Sequence, residues 1–200
     1  MFYRGFPKST CTSLNHVICH GIPNYNRNLQ KGDILNVDVT TIIDGWHGDS
    51  SRMYKVGDIS IKANNLCKVT HDCLMESIDE IKVGEPINLI GKKIEEISKS
   101  NNFSVVRDFC GHGVGLKFHE NPSILHYYDS EYDNIKFVDG MIFTIEPMIN
   151  AGKYQSKILS DGWTAVTKDK TLSAQYEHTI YINGDNVEIL TESPNKAFYN

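Results

Sequence analysis

The chain has 200 residues, 40% hydrophobic and 22% charged, with 25 acidic against 20 basic side chains and a formal charge of -5; this suits one globular domain with a sizeable core and gives no sign of disorder. The acidic balance argues against a general phosphate-binding surface, so nucleic acid is not an expected partner. Five cysteines, Cys11, Cys19, Cys67, Cys73 and Cys110, are odd in number and form no Cys-x-x-Cys pair; no apolar run approaches the roughly 18 residues of a membrane span, and Met1 to Thr10 lacks a signal-like apolar stretch, so a soluble cytoplasmic protein in a reducing compartment is expected.

In chain order, Gln30-Lys31-Gly32-Asp33 reads as a turn into a strand over Ile34 to Ile43, rich in Val, Ile and Thr. Asp44-Gly45 is a hairpin signal, with a return strand from Trp46. Apolar residues recur at helical spacing from Ile61 to Ile81, closed by Gly84 and Pro86, and again from Ile87 to Lys99. Both helices are expected to pack on a sheet. Strand character returns at Met141 to Ile149, Trp163 to Thr167 and Leu172 to Ile182, with turns at Asp161-Gly162 and Lys168-Asp169-Lys170. Strands, then helices, then strands imply an α+β domain with a largely antiparallel sheet.

Asp38 stands in Leu35-Asn36-Val37-Asp38-Val39-Thr40, where its neighbours favour burial and an unpaired carboxylate costs several kcal/mol or becomes neutral. A two-residue turn at Asp44-Gly45 pairs Ile43 with Trp46 and places Asp49 opposite Thr40, one diagonal step from Asp38 on the same face. Two carboxylates then converge on one spot, where they repel unless a cation lies between them. Glu146 and Glu177 likewise interrupt apolar stretches, and His112 sits between glycines in Cys110-Gly111-His112-Gly113-Val114-Gly115. A single such acid is equally well read as a buried carboxylate satisfied by backbone or hydroxyl donors; four with one imidazole make an oxygen-rich set suited to Mn, Fe(II), Co or Zn. Two divalent ions would balance the four acids, and a pair roughly 3.5–4 Å apart lowers the pKa of a shared water enough to hydrolyse an amide or ester near neutral pH.

With those segments in place the sequence resembles the type I methionine aminopeptidases, which have the pita-bread fold shared with prolidases and aminopeptidase P. The marks are Asn15 to Pro23, Asn36 to Thr40 with His47-Gly48-Asp49, Cys110 to Gly115, Phe118 to Pro122, Thr144 to Met148 and Ala174 to Thr179. The resemblance implies a curved, largely antiparallel sheet with helices on its outer face. It also implies a ligand set in which Asp38 chelates one metal, Asp49 and Glu177 bridge both, and His112 and Glu146 complete the second site. By the same resemblance Glu146 carries the proton, His119 contacts the scissile amide and His20 lies beside the reacting end of the substrate. Tyr3, Phe6, Cys11, Phe118 and Trp163, with His20 and His119, are implied to bind the substrate methionine. His16, His47 and His126 are given no role.

The implied substrate is the N-terminal methionine of nascent polypeptides, with a small second residue, at most a transient ribosome contact, no membrane, and a monomer. The chain opens where family members would already have supplied a helix, so a catalytic domain over residues 1–200 lacking that segment is expected, with weakened substrate affinity or stability. Two rivals are a prolidase or Xaa-Pro aminopeptidase using the same ligands, and a non-catalytic pita-bread module that binds histones or ribosomes.

Overall fold

A computed structural model describes residues 3–193. The chain runs through β1 (Cys11–Leu14), β2 (Val17–Cys19), β3 (Ile34–Ile43) and β4 (Trp46–Lys55) into α1 (Ile61–Ile78) and α2 (Asn88–Ser100). Short strands follow: β5 (Ser104–Val105), β6 (Gly111–Gly113), β7 (Glu120–Ile124), β8 (Ile142–Ile145) and β9 (Met148–Asn150). The last are β10 (Ser156–Ile158), β11 (Ala165–Thr167), β12 (Ser173–Gln175), β13 (His178–Asn183) and β14 (Asn186–Ile189). They form antiparallel sheets in the orders β1-β3-β4, β10-β11-β2, β12-β9-β5 and β14-β13-β8-β6-β7.

The β3–β4 hairpin has the expected bounds and register, with Ile43 opposite Trp46 and Thr40 opposite Asp49. Its turn residues Asp44 and Gly45 both have positive φ, 50° and 87°, as a tight hairpin matching the twist of its strands requires. The helices differ slightly from expectation. α1 stops at Ile78, where the Asp79 N–H turns back to Ser77 O, and Ile81 reaches the core from the following turn. The apolar period therefore outlasts the helix.

Two expected strands are broken, and at matching places. Met141 to Ile149 divides at Glu146-Pro147 and Leu172 to Ile182 at Tyr176-Glu177. Ile145 pairs with His178 and Met148 with Gln175, so the two breaks face each other across the ladder. Pro147 has no N–H to give to a ladder, which favours the break there, and at these points both chains leave one sheet for another. Trp163 is also outside a strand: its N–H, like that of Thr164, is held by Asp161 Oδ1 in the preceding turn.

The core lies between the helices and the β12-β9-β5 sheet. Leu66, Cys73 and Leu74 of α1 and Ile90 and Ile94 of α2 are buried in one cluster with Ile149, Ala174 and Ile180. Ser60 caps α1 through the Ala63 N–H. α2 lies so close to the loop after β7 that a Cβ on Gly91 would stand 2.2 Å from Tyr127 O. Gly91→Ala is therefore expected to cost about 1–3 kcal/mol, read as a melting-temperature drop of roughly 3–10 °C; an unchanged melting temperature would contradict this packing. Among the described residues no helix is long and apolar enough to cross a membrane.

Candidate metal centre

The two facing strand breaks and the hairpin meet at one point. Glu177 N–H donates to Ser51 O at 3.0 Å and Ser51 N–H to Glu177 O at 3.4 Å, joining β4 to the break before β13. Asn36 of β3 ties the same junction, its Nδ2 donating to Ser51 Oγ and to Gln175 O. Asp38 and Asp49 thus come to the same place as Glu146 and Glu177, while β6 brings His112 alongside β8. One cavity of about 470 Å³ is lined by all five, and ligand atoms of Asp49, His112 and Glu177 lie within 4.8 Å of one another.

Two threonines that face each other across the β8–β13 register hold this arrangement. Thr179 Oγ1 accepts from Asp49 N–H at 3.1 Å and donates to Asp49 O at 2.8 Å. Thr144 Oγ1 accepts from His112 N–H at 3.0 Å and donates to Glu146 Oε1 at 3.0 Å. Gln175 Nε2 donates to the other oxygen, Oε2, at 3.2 Å, and Thr40 Oγ1 donates to Asp49 Oδ1 at 2.9 Å. The Asp49 and Glu146 carboxylates are therefore oriented by neutral donors. Thr144→Val removes one hydroxyl that serves both His112 and Glu146 and is expected to weaken metal affinity about 10–100-fold, as loss of ligand-orienting partners does; competition with a chromophoric chelator checks this, and wild-type affinity would contradict it.

Burial pushes the carboxyl pKa of Asp38 up to about 8, with Asp49 beside it adding to the effect. Burial raises Asp49 too, and holds Glu146 and Glu177 well above the usual carboxylate range with help from the Asp49 charge. The His112 imidazole is pushed down by burial and so is neutral near pH 7. Its Nδ1 stands 2.9 Å from Gly113 O; a carbonyl only accepts, so Nδ1 carries the proton and Nε2 presents a lone pair. That lone pair faces Asp49 Oδ2 at 3.9 Å and Glu146 Oε1 at 3.7 Å, distances too long for hydrogen bonds. Three acceptors directed at one another, with two more acids beside them, fit a bound cation.

The same cavity is lined by Tyr3, Phe6, Cys11, His20, Phe118, His119 and Trp163. Phe6 meets Trp163 edge to face at 5.3 Å between centroids, and Tyr3 meets Phe118 in the same way at 4.7 Å. Tyr3 OH lies 2.9 Å from His119 Nδ1, and the His119 pKa is pushed down to about 4 by desolvation and by His112 beside it. His20 has φ +56° at the end of β2, a conformation unusual for a residue with a Cβ. The next residue must be glycine, since a Cβ on Gly21 would stand 2.2 Å from Thr12 O. Met148, Phe109 and Cys110 also line the wall; each lies within two residues of a proposed ligand or just before the His112 glycines, but nothing in its own residue type marks it.

Two histidines without a role in the sequence reading are placed here. His126 is fully buried, accepts the Glu146 N–H at Nε2 over 3.1 Å, and has its pKa pushed down to about 3 by burial. No periodic pattern surrounds it, so only the folded chain connects it to Glu146. His47 lines the cavity, stacks on Phe118 at 5.8 Å and contacts Gly115 O at 3.0 Å.

Residues 1–184 match the model of metallopeptidase family M24. The chain is similar to methionine aminopeptidase of Rickettsia prowazekii (strain Madrid E), 53% identical over 98% of this chain and 76% of that protein. It is also similar to that of Escherichia coli (strain K12), 50% identical over 94% of this chain and 71% of that protein. Among solved structures, methionine aminopeptidase from Rickettsia prowazekii superposes with a TM-score of 0.92 at 51% identity over 96% of this chain and 77% of that one. A prolidase from Pyrococcus furiosus superposes with a TM-score of 0.72 at 22% identity, over 94% of this chain and 50% of that one, and shows the shared fold alone.

Proposed function

The chain belongs to metallopeptidase family M24, and on that premise we propose that it removes N-terminal methionine from polypeptides as a metal-dependent aminopeptidase. The observation that carries this is the convergence of four carboxylates and one neutral imidazole at the floor of a cavity partly walled by aromatic rings. Asp38, Asp49, His112, Glu146 and Glu177 would hold two divalent ions, drawn from Co, Mn, Fe(II) and Zn. When bound, such a pair acts as a Lewis acid and supplies a nucleophile from water near neutral pH.

The chain's own residues supply the rest. Glu146, oriented by Thr144 and Gln175, moves the proton from the attacking water to the leaving amine. His119 sits at the rim, neutral at working pH, to hydrogen-bond the scissile amide, and His20 borders the reacting end of the substrate. Tyr3, Phe6, Cys11, Phe118 and Trp163 enclose the methionine side chain, whose polarizable thioether packs well on aromatic edges and sulfur. A small second residue is favoured, because a larger one would meet the cavity wall before the scissile bond reaches the acids. We take the substrates to be nascent chains in the cytoplasm, met by a monomer with at most transient ribosome contact.

Metal-loaded protein incubated with Met-Ala-Ser, Met-Leu-Ser and a Xaa-Pro peptide is expected to release methionine from Met-Ala-Ser alone. Release only from the Xaa-Pro peptide would assign a prolidase-like activity instead. No turnover with any of the four metals would point to a binding module.

A further inference from the structure

An antiparallel strand pair alternates hydrogen-bonded and non-hydrogen-bonded partners. In the β3–β4 hairpin Asp49 sends its N–H to Thr179 Oγ1 at 3.1 Å and His47 sends its N–H to Gly115 O at 2.9 Å. Both residues therefore turn their backbone away from β3. Their direct partners, Thr40 and Ile42, must in turn direct their own N–H and C=O groups at the other edge of β3. β1 covers that edge only as far as Asp38, which pairs with Cys11. Beyond it residues 3–10 form no strand, and among the described residues no backbone group bonds Thr40 or Ile42 on that side. The open stretch starts two residues from Asp38, its Thr40 and Ile42 line the same cavity, and it runs outward to Ile42 and Ile43, which are 59% and 71% exposed.

A strand edge that carries free donors and acceptors and begins at a hydrolytic centre is a template for an extended peptide. We propose that the polypeptide beyond the scissile bond binds as an added strand along the β3 edge from Val39 to Ile43, pairing with the backbone of Thr40 and Ile42. This rests on the aminopeptidase reading and deepens it. With the substrate N-terminus at the acids and the chain leading outward, the added strand lies parallel to β3. Recognition through the main chain explains how one site accepts many sequences after the first two residues: backbone groups are common to all of them, whereas side chains on the outer face of the added strand meet only solvent.

The test uses the metal-loaded enzyme and amidated peptides, so that no terminal carboxylate intervenes. Met-Ala-Ser-Val-Thr-amide is expected to exceed Met-Ala-Ser-amide in kcat/KM, mainly through KM. N-methylation of single amides at residues 3, 4 and 5 is expected to lower kcat/KM by about 3–10-fold at alternate positions only, since one edge of a strand uses every second residue. Ile42→Pro removes one of the edge N–H groups without touching the β4 ladder and is expected to reduce the ratio of long-peptide to short-peptide kcat/KM. Equal rates for both lengths, or a uniform response to N-methylation, would overturn the proposal while leaving the aminopeptidase reading intact. Absence of methionine release from either peptide would overturn both.

Discussion

Asp49→Asn is expected to lower kcat/KM for Met-Ala-Ser by roughly 10³-fold, because metal-assisted charge stabilisation contributes several kcal/mol and each 1.36 kcal/mol is tenfold in rate. The substitution is nearly isosteric. Asn can still accept from Thr40 Oγ1, and the Thr179 contacts are to the Asp49 backbone, so the hairpin is expected to keep its place. What is lost is a charged oxygen directed at His112 Nε2 and a share of the negative charge that balances the ions. Metal content should fall with activity, measured by elemental analysis after desalting. Full activity, or lost activity at wild-type metal content, would remove Asp49 from the ligand set.

The second large effect concerns the protein stripped of metal. Its four clustered acids have folded pKa values raised by burial, to about 8 for Asp38, against roughly 4 in an unfolded chain. Between those values the folded state binds more protons than the unfolded one, so stability falls as pH rises through the window and levels off above it. Buried His20, His112, His119, His126 and His178 have lowered pKa values and act in the opposite sense: the unfolded state binds their protons until about one pH unit above 6.5, so stability rises with pH up to that point and is then constant. The two trends overlap in the acid range and separate above it. From pH 7.5 to 8.5 the acids dominate, and the expected loss in chelator is on the order of 2–4 kcal/mol, or roughly 5–10 °C in melting temperature. Added metal should reverse the slope, since its affinity rises as the ligands lose protons. A melting temperature in chelator that is flat or rising over pH 7.5 to 8.5 would show that the acids are not buried together.

The legible parts of this site were those where local rules are strict. Asp44-Gly45 admits one tight hairpin, and the register followed from it, bringing Asp49 opposite Thr40 and beside Asp38. An acid among β-branched residues was informative because burial of charge is costly. Glu146 and Glu177 stand out on the same ground, yet they lie at strand breaks where the chain changes sheets and not within continuous strands, because alternation cannot distinguish one long strand from two short ones in line. Residues whose importance is purely tertiary left no local trace. Thr144 and Thr179 look like ordinary strand threonines until β8 and β13 are paired, and His126 reaches Glu146 from 20 residues away. The open edge of β3 depends on where β1 begins, which composition does not encode.

The most direct measurement is a metal titration of chelator-stripped protein with Met-Ala-Ser as substrate, following free methionine and bound metal together. Methionine release should be absent at the start, appear as metal is added, and saturate at two ions per chain, with Asp49→Asn failing to bind the full complement. Undiminished turnover in the stripped protein, or saturation unaffected by that substitution, would contradict a metal-dependent aminopeptidase built on these residues.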